Sequence, residues 1–373
     1  MKATSIFGGV QVGNILINII RSKFIAVLLG PTGMGIAGLL TATLNIVTSL
    51  TNFGLSRSAV KNVAAANATN DIKKISVVVT VLRKLVWATG LLGSFITLVT
   101  APLLSELTFG NDEYTYAFIW LAFTLLLRQL SAGQLVVLQG MRKIKFMAKG
   151  SFLGSVLGLV VSVPVYYLMD IDGIVPAIIL TSFISLFISW HFSNKIKVSP
   201  TPVDIVQLKT EGGEMLRMGF MLSLSSLAAL GASYIIRIFI SRNGGIDQVG
   251  LYNAGFAIVN TYVGMIFTAM VTDYYPRLSA VAQDRQKATS TINQQAEVAI
   301  LILAPLLLVF LIFIDWAVIL LYSTKFIPVN GMIHWSALGI FFKAVSWAIA
   351  YIILANGSSK LFFWNELVVN IYM

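Results

Sequence analysis

Any chemistry in this sequence has to come from positive charge set inside apolar stretches. Arg128 follows the run Ala117–Leu127, whose only polar member is Thr124, and Lys343 stands in the middle of Ile333–Leu354. Arg21, Lys23, Arg83, Lys84 and Arg237 lie within or at the ends of similar stretches. A charge at the centre of a bilayer costs ~2.5–3.5 kcal/mol even on the lenient insertion scale, which makes such a residue functional by default. From mid-helix the membrane surface is ~15 Å away, a long reach for a snorkelling side chain. Arg21, Lys23 and Arg237 are nearer an end, where snorkelling competes, and for Arg83 and Lys84 a structural role near one face is the plainer reading. No Asp or Glu falls within the first six apolar stretches. Cations with so little carboxylate to pair them imply an anionic ligand. Arg matches phosphate geometry bidentately, and Lys serves as a point charge.

Helical spacing gathers polar side chains beside these charges. Gln11, Asn14, Asn18 and Arg21 recur at steps of three and four, as do Thr41, Asn45, Thr48 and Asn52. A third group holds Asn253, Asn260 and Thr268, a fourth Thr124, Arg128 and Ser131, and a fifth Ser336, Lys343, Ser346 and Trp347. Hydroxyls and small residues commonly glue membrane helices together. Four large polar groups on one face exceed what packing needs and point to a water-filled cavity, one suited to hydroxyl-rich groups such as sugars. The expected binding set is Arg21, Lys23, Arg128, Arg237 and Lys343, with Asn14, Asn18, Asn45 and Asn260. The absence of cysteine excludes disulfides, thiolate zinc sites and Cys nucleophiles, and two histidines are too few for a His-based metal centre. There is no phosphate-binding glycine loop of the ATPase type and no gathering of Ser, His and Asp into a triad. No cofactor, metal or enzymatic activity is expected.

The elements that must position these residues are membrane helices. Of 373 residues, 57% are hydrophobic and 11% charged, against ~25% charged in a soluble domain. That excludes a soluble enzyme, a disordered chain and a fibrous protein. A helix needs ~20 apolar residues to cross a bilayer. Such stretches run near Ile6–Leu29, Ile36–Phe53, Ser76–Thr100, Tyr116–Leu138, Phe152–Leu168, Ile174–His191, Met218–Ile240, Leu251–Val271, Val298–Ile314 and Ile333–Leu354. The first reads as a retained span rather than a signal peptide, because Gln11, Asn14 and Asn18 interrupt it and no small-residue cleavage site follows. An eleventh stretch, Lys360–Met373, is too short to cross, so the chain is expected to stop inside a helix.

Loop charge fixes the orientation. With the N-terminus inside, the inner loops carry Arg57, Lys61, Lys73, Lys74 and the cluster Arg142–Lys149, while the outer loops carry only Arg242 and Lys325 among basic residues. Basic residues concentrate in cytoplasmic loops, and this bias accounts for most of the net charge of +11 without nucleic acid. A shift of 215 residues maps Gly35 onto Gly250, Asn45 onto Asn260, Arg128 onto Lys343 and Lys145 onto Lys360. Such internal repeats are frequent in transporters. The reading is an all-α polytopic membrane protein of two six-helix lobes related by a pseudo-two-fold axis along the membrane normal. The second lobe is incomplete, with ten full spans in all and part of an eleventh. The lobes are 1–198 and 215–373, joined by a cytoplasmic linker at 199–214.

Four segments carry a family resemblance. The run Lys23–Gly35 (KFIAVLLGPTGMG), Gln248–Tyr252 (QVGLY), Tyr275–Ser279 (YPRLS) and Leu321–Phe326 (LYSTKF) resemble Wzx-type O-antigen flippases of the multidrug/oligosaccharidyl-lipid/polysaccharide exporter superfamily. The likeness extends to the enterobacterial-common-antigen translocases. It implies a two-lobed fold with a central cavity in the bacterial inner membrane. The implied substrate is an undecaprenyl-diphosphate-linked oligosaccharide, moved from the cytoplasmic to the periplasmic leaflet. Lys23 and Lys343 resemble positions where these relatives also carry a basic residue. Membrane lipids and polysaccharide-assembly proteins are the implied partners. Two other readings compete. A cation-coupled drug antiporter of the same superfamily would need intramembrane carboxylates. A membrane glycosyltransferase or polymerase would need an active-site carboxylate and usually a large outer loop.

Overall fold

The computed structural model describes residues 2–196, 198, 201–259, 264–356, 361, 364, 365 and 368. Among them there is no strand, and the chain runs α1 (Lys2–Leu28), α2 (Gly30–Thr51), α3 (Leu55–Ala68), α4 (Ile72–Val99), α5 (Ala101–Phe109), α6 (Thr115–Gly140), α7 (Ile144–Met169) and α8 (Ile174–Asn194). It continues through α9 (Ile205–Gly244), α10 (Ile246–Ala257), α11 (Gly264–Val281), α12 (Arg285–Ile312), α13 (Ile314–Leu321) and α14 (Asn330–Ala355). Seven stretches of the described residues are long and apolar enough to cross a membrane. The protein is an all-helical polytopic membrane protein. Each apolar stretch read from the sequence up to Leu354 falls on this helical framework, and Leu251–Val271 is divided between α10 and α11. The sequence did not mark α3, α5 and α13, which are too short or too polar to span.

Local chemistry sets the boundaries. α1 turns into α2 in a single step at Gly30, whose φ of +67° suits only glycine readily, and Pro31 opens α2 in its first turn. Asp71 caps α4 by accepting from the backbone N–H groups of Lys73 (2.9 Å) and Lys74 (3.4 Å). Asp284 caps α12 in the same way through Gln286 and Lys287, both at 3.1 Å. α9 is one helix of 40 residues, so positions 205–214 are its opening turns.

The helices pack in groups. α1 packs on α7, α7 on α8 and α8 on α6, and α4 lies on α6. Leu39, Leu40 and Leu44 of α2 are buried in one core cluster with Phe118 and Leu121 of α6. α11, α12 and α14 pack together around Leu303, Leu307 and Ile340, and among the described residues they have no extensive contact with α1–α8. α9 runs beside α2, from Phe53 against Phe220 at one end to Tyr234, whose hydroxyl is 2.6 Å from Thr108 Oγ1, further along. Trp120, Phe123, Leu308 and Phe342 stay more than half exposed, as side chains facing lipid do.

Candidate functional site

A cavity of about 400 Å³ opens where α1, α2, α9 and α10 meet, with Tyr322 in its lining. Asn45, Ser233, Arg237 and Asn253 supply its polar wall. Arg237 is held from three sides. Its Nε donates to Asn253 Oδ1 at 2.8 Å, and its Nη1 donates to the Ser233 carbonyl at 2.9 Å and to Ser233 Oγ. The guanidinium carbon lies 5.7 Å from the Tyr252 ring centre and 5.9 Å from that of Phe256, within cation–π range. No carboxylate lines this cavity among the described residues. A smaller cavity of about 210 Å³ shares Ser22, Ala257 and Tyr322 with it and adds Asn18.

A second pocket of about 360 Å³ lies between α1, α6, α7 and α8 and brings Arg21 and Arg128 together with Ser131, Ser155, Ser185 and Ser189. Asn14 approaches the same helix pair and donates to Ser151 Oγ at 3.0 Å. The polar stripe of α1 is therefore divided. Asn14 and Arg21 turn to α7, whereas Asn18 lines the cavity near Tyr322 and Gln11 is exposed.

At the Gly30 end the two halves of the chain close on each other. Thr32 Oγ1 donates to Asp247 Oδ1 at 2.5 Å. Lys23 Nζ donates to the Ile319 carbonyl at 2.7 Å, one of the final acceptors of α13 that no helical amide satisfies. Arg242 Nη2 donates to the Glu106 carbonyl at 2.9 Å. α2 crosses α10 so closely that a Cβ on Gly35 would strike the Ile246 carbonyl, and one on Gly250 would strike the Pro31 carbonyl. These contacts are reciprocal. Thr32 and Asp247, Gly35 and Gly250, and Pro31 and Ile246 are each 215 positions apart.

Of the expected binding residues, Arg237 and Asn45 meet in the first of these cavities, Asn18 lies beside it, and Arg21 and Arg128 share the second pocket. Lys343 is exposed on α14, on the flank that also carries Ser336, Gly339 and Ser346, away from the exposed Phe342 and Leu338. Asn260 lies outside the described residues. The expected binding set left out Ser233, Tyr252, Asn253 and Phe256, although Asn253 stood in a polar stripe and Tyr252 in a family segment. The spacing Ser233-x3-Arg237 and the Tyr252/Phe256 pair, both one helical turn, were available signals.

Residues 24–330 match the family described as polysaccharide biosynthesis protein. The chain belongs to that family. It is 20% identical over 353 residues to the lipid III flippases of Escherichia coli (strain K12) and of Shigella flexneri, across 92% of this chain and 82% of each relative. Among solved structures it is similar to the inward-facing conformation of a multidrug resistance MATE family transporter of the MOP superfamily, with a TM-score of 0.72, 16% identity, and coverage of 96% of this chain and 84% of that one. The outward-facing conformation of a MATE family transporter of the same superfamily gives a TM-score of 0.60 at 16% identity, covering 98% and 82%. A MOP superfamily transporter from Pyrococcus furiosus, described as having a binding pocket of reverse polarity, gives 0.61 at 15% identity, covering 98% and 83%. The fold is therefore one that it shares with these transporters. The protein is a polytopic membrane protein of the polysaccharide biosynthesis family.

Proposed function

We propose that this protein flips an undecaprenyl-diphosphate-linked oligosaccharide, an O-antigen unit or a similar repeat, from the cytoplasmic to the periplasmic leaflet of the bacterial inner membrane. The observation that carries this reading is the carboxylate-free cavity in which Arg237 is oriented by Asn253 and Ser233. Arg237 engages the diphosphate, Asn18 and Asn45 line the way for the sugars, and Asn260 is assigned to substrate binding with them on its place in the sequence repeat. Arg21, Arg128 and Asn14 on one side and Lys343 on the other extend the positive, hydrogen-bonding path. The polyprenyl tail stays in the bilayer.

The architecture in this reading is two lobes, 1–198 and 215–373, joined at 199–214 and related by a pseudo-two-fold axis. The reciprocal contacts at an offset of 215 support it, because a two-fold interface pairs each residue with the equivalent of its partner. So do helix lengths: α4 and α12 have 28 residues each, and α6 and α14 have 26 each. The N-terminus is cytoplasmic, and the closed Gly30 end is periplasmic. Substrate enters from the cytoplasmic side, where α11, α12 and α14 stand apart from α1–α8. Rocking of the lobes then opens the periplasmic end. Lys23 leaves the Ile319 carbonyl and meets the diphosphate on its way out.

A drug antiporter would share this fold, but its cation sites call for intramembrane carboxylates, and α1–α8 carry none within their apolar stretches. The test is flipping of a fluorescent polyprenyl-diphosphate-linked sugar in proteoliposomes. Arg128→Ala and Lys343→Ala should each reduce the rate at least tenfold without loss of protein from the membrane. Wild-type rates in both would remove the diphosphate path, and cation-driven drug efflux by the same vesicles would replace the reading.

A further inference from the structure

The pocket between α1, α6, α7 and α8 has chemistry that the central cavity does not need. It holds two guanidinium groups, Arg21 and Arg128, and no carboxylate among the described residues. The ion pairs of the described residues, Arg277–Asp273 and Lys287–Asp284, both lie on exposed positions far along the chain from either group. Arg21 Nε is buried without a hydrogen-bond partner, and its Nη2 reaches only the Ser155 carbonyl, at 3.5 Å. Arg128 makes no hydrogen bond or ion pair among the described residues and faces the pocket. Two cations sharing one small space within the membrane repel each other, and neither has the neutralising partner that intramembrane charges ordinarily find. The space has been kept open for them. A Cβ on Gly158 would come within 2.8 Å of Arg21 Nη2, so a side chain there would displace the guanidinium.

We propose that this pocket is an oxyanion site that holds one phosphate-class group between Arg21 and Arg128, separate from the Arg237 cavity. Each guanidinium presents a planar fork that matches two phosphate oxygens. The wall adds hydroxyls able to donate. Ser185 Oγ now donates to the Thr181 carbonyl at 2.8 Å, and Ser189 Oγ to the Leu186 carbonyl at 2.9 Å or to Ser131 Oγ at 3.1 Å, Ser131 itself donating to the Ser185 carbonyl at 3.3 Å. Those carbonyls already accept helical amides, so each hydroxyl can rotate onto an anion and leave no orphaned group. At about 360 Å³ the pocket lies at the lower end of the ~300–1,000 Å³ range of small-molecule sites. That suits a phosphate or diphosphate and excludes an oligosaccharide. The group could be the diphosphate of a lipid-linked substrate or free inorganic phosphate. Both present the same oxygens. The site rests on the flippase reading, which places Arg21 and Arg128 on the diphosphate path, but its occupancy is measured without translocation, so the two can fail separately.

The test is calorimetric titration of the purified full chain in detergent with inorganic phosphate and with pyrophosphate. Saturable binding is expected, at least tenfold weaker in Arg21→Gln and in Arg128→Gln, and intermediate in Arg128→Lys, which keeps charge but not the fork. Gly154→Leu should abolish it by filling the pocket: a Cβ there meets Ser185 only at ordinary contact distance, 3.9 Å, so the backbone tolerates the change. If the glutamine variants do not stay monodisperse, Arg128→Lys and Gly154→Leu decide. A repeat after saturation with a polyprenyl-diphosphate-linked sugar separates the sources. Loss of pyrophosphate binding assigns the site to the substrate headgroup, and retention assigns it to the free anion. Absence of saturable binding in the wild type overturns the proposal. So does wild-type affinity in Arg128→Lys and Gly154→Leu, or a loss confined to Arg237→Gln.

Discussion

Arg237 shows what a single buried cation demands of its surroundings. Its charge lies in an apolar helix, and the price of keeping it there is a fixed set of neighbours: the Ser233 carbonyl one turn back, the Asn253 amide oxygen on the crossing helix, and the faces of Tyr252 and Phe256. Hydrogen bonds to charged groups contribute ~1.5–3 kcal/mol, so losing Asn253 should misdirect the guanidinium without removing its charge. Asn253→Ala is expected to weaken substrate affinity about tenfold with charge intact, and Arg237→Ala to abolish transport; binding isotherms and flipping rates in vesicles check both. An Asn253→Ala affinity equal to wild type would mean that Ser233 alone orients the group. The depth of Arg237 was legible in the sequence, and so was its i−4 serine. Asn253 was visible only as part of a polar stripe, because the crossing that brings it to Arg237 joins residues 16 apart on different helices. The stripe on α1 was read as one face, yet such a face is broad enough to touch two neighbours, and here α7 takes Asn14 and Arg21 while the cavity takes Asn18.

Among elements, the crossing of α2 and α10 is the tightest, and glycine makes it possible. Without a Cβ at Gly35 or Gly250 each helix backbone rests on the other's carbonyl, the close approach that small residues permit in membrane packing. A side chain at Gly250 has only Pro31 backbone to push against, and one at Gly35 meets the Ile246 carbonyl first and then the Ile246 side chain. Gly250→Leu is therefore expected to destabilise by at least the ~1–3 kcal/mol typical of overpacking, seen as a lower thermal unfolding midpoint of the detergent-solubilised protein, whereas Gly331→Leu, with open space around it, should leave the midpoint near wild type. Equal midpoints would show that the crossing can slide apart at no cost. Long helices were legible from apolar length, and the glycines from their shared offset. The short helices α3, α5 and α13 were not, because a window wide enough to find a span averages over them. α3 is also polar, and is held by Leu55, Ala59 and Val63 against α4 and α6 rather than by lipid.

For the whole molecule the sequence conveyed class, because composition is a property of the chain itself, while the sidedness and repeat proposed above rest on loop charge and a fixed offset. It could not convey which end is closed, since that is decided by contacts between halves with no sequence signature of their own. At the Gly30 end those contacts are Thr32 to Asp247, Lys23 to the Ile319 carbonyl and Arg242 to the Glu106 carbonyl. They join segments that must separate if the cavity is to open there, and each is a single polar bond, weak enough to break within a transport cycle at ~0.5–1.5 kcal/mol for neutral groups and up to ~3 for charged ones. Thr32 and Asp247 touch through side chains, so a cysteine at each, in a chain with no native cysteine, forms a reporter of this closure. Under mild oxidation Thr32→Cys/Asp247→Cys is expected to cross-link in the resting protein and to halt flipping, and reduction should restore it. The pair Thr32→Cys/Gly110→Cys, with nothing within 4 Å of a Cβ at Gly110, should neither cross-link nor halt transport. If the oxidised Thr32–Asp247 pair flips substrate as fast as the reduced one, the Gly30 end stays shut throughout the cycle and substrate leaves by another route, laterally between α1 and its neighbours.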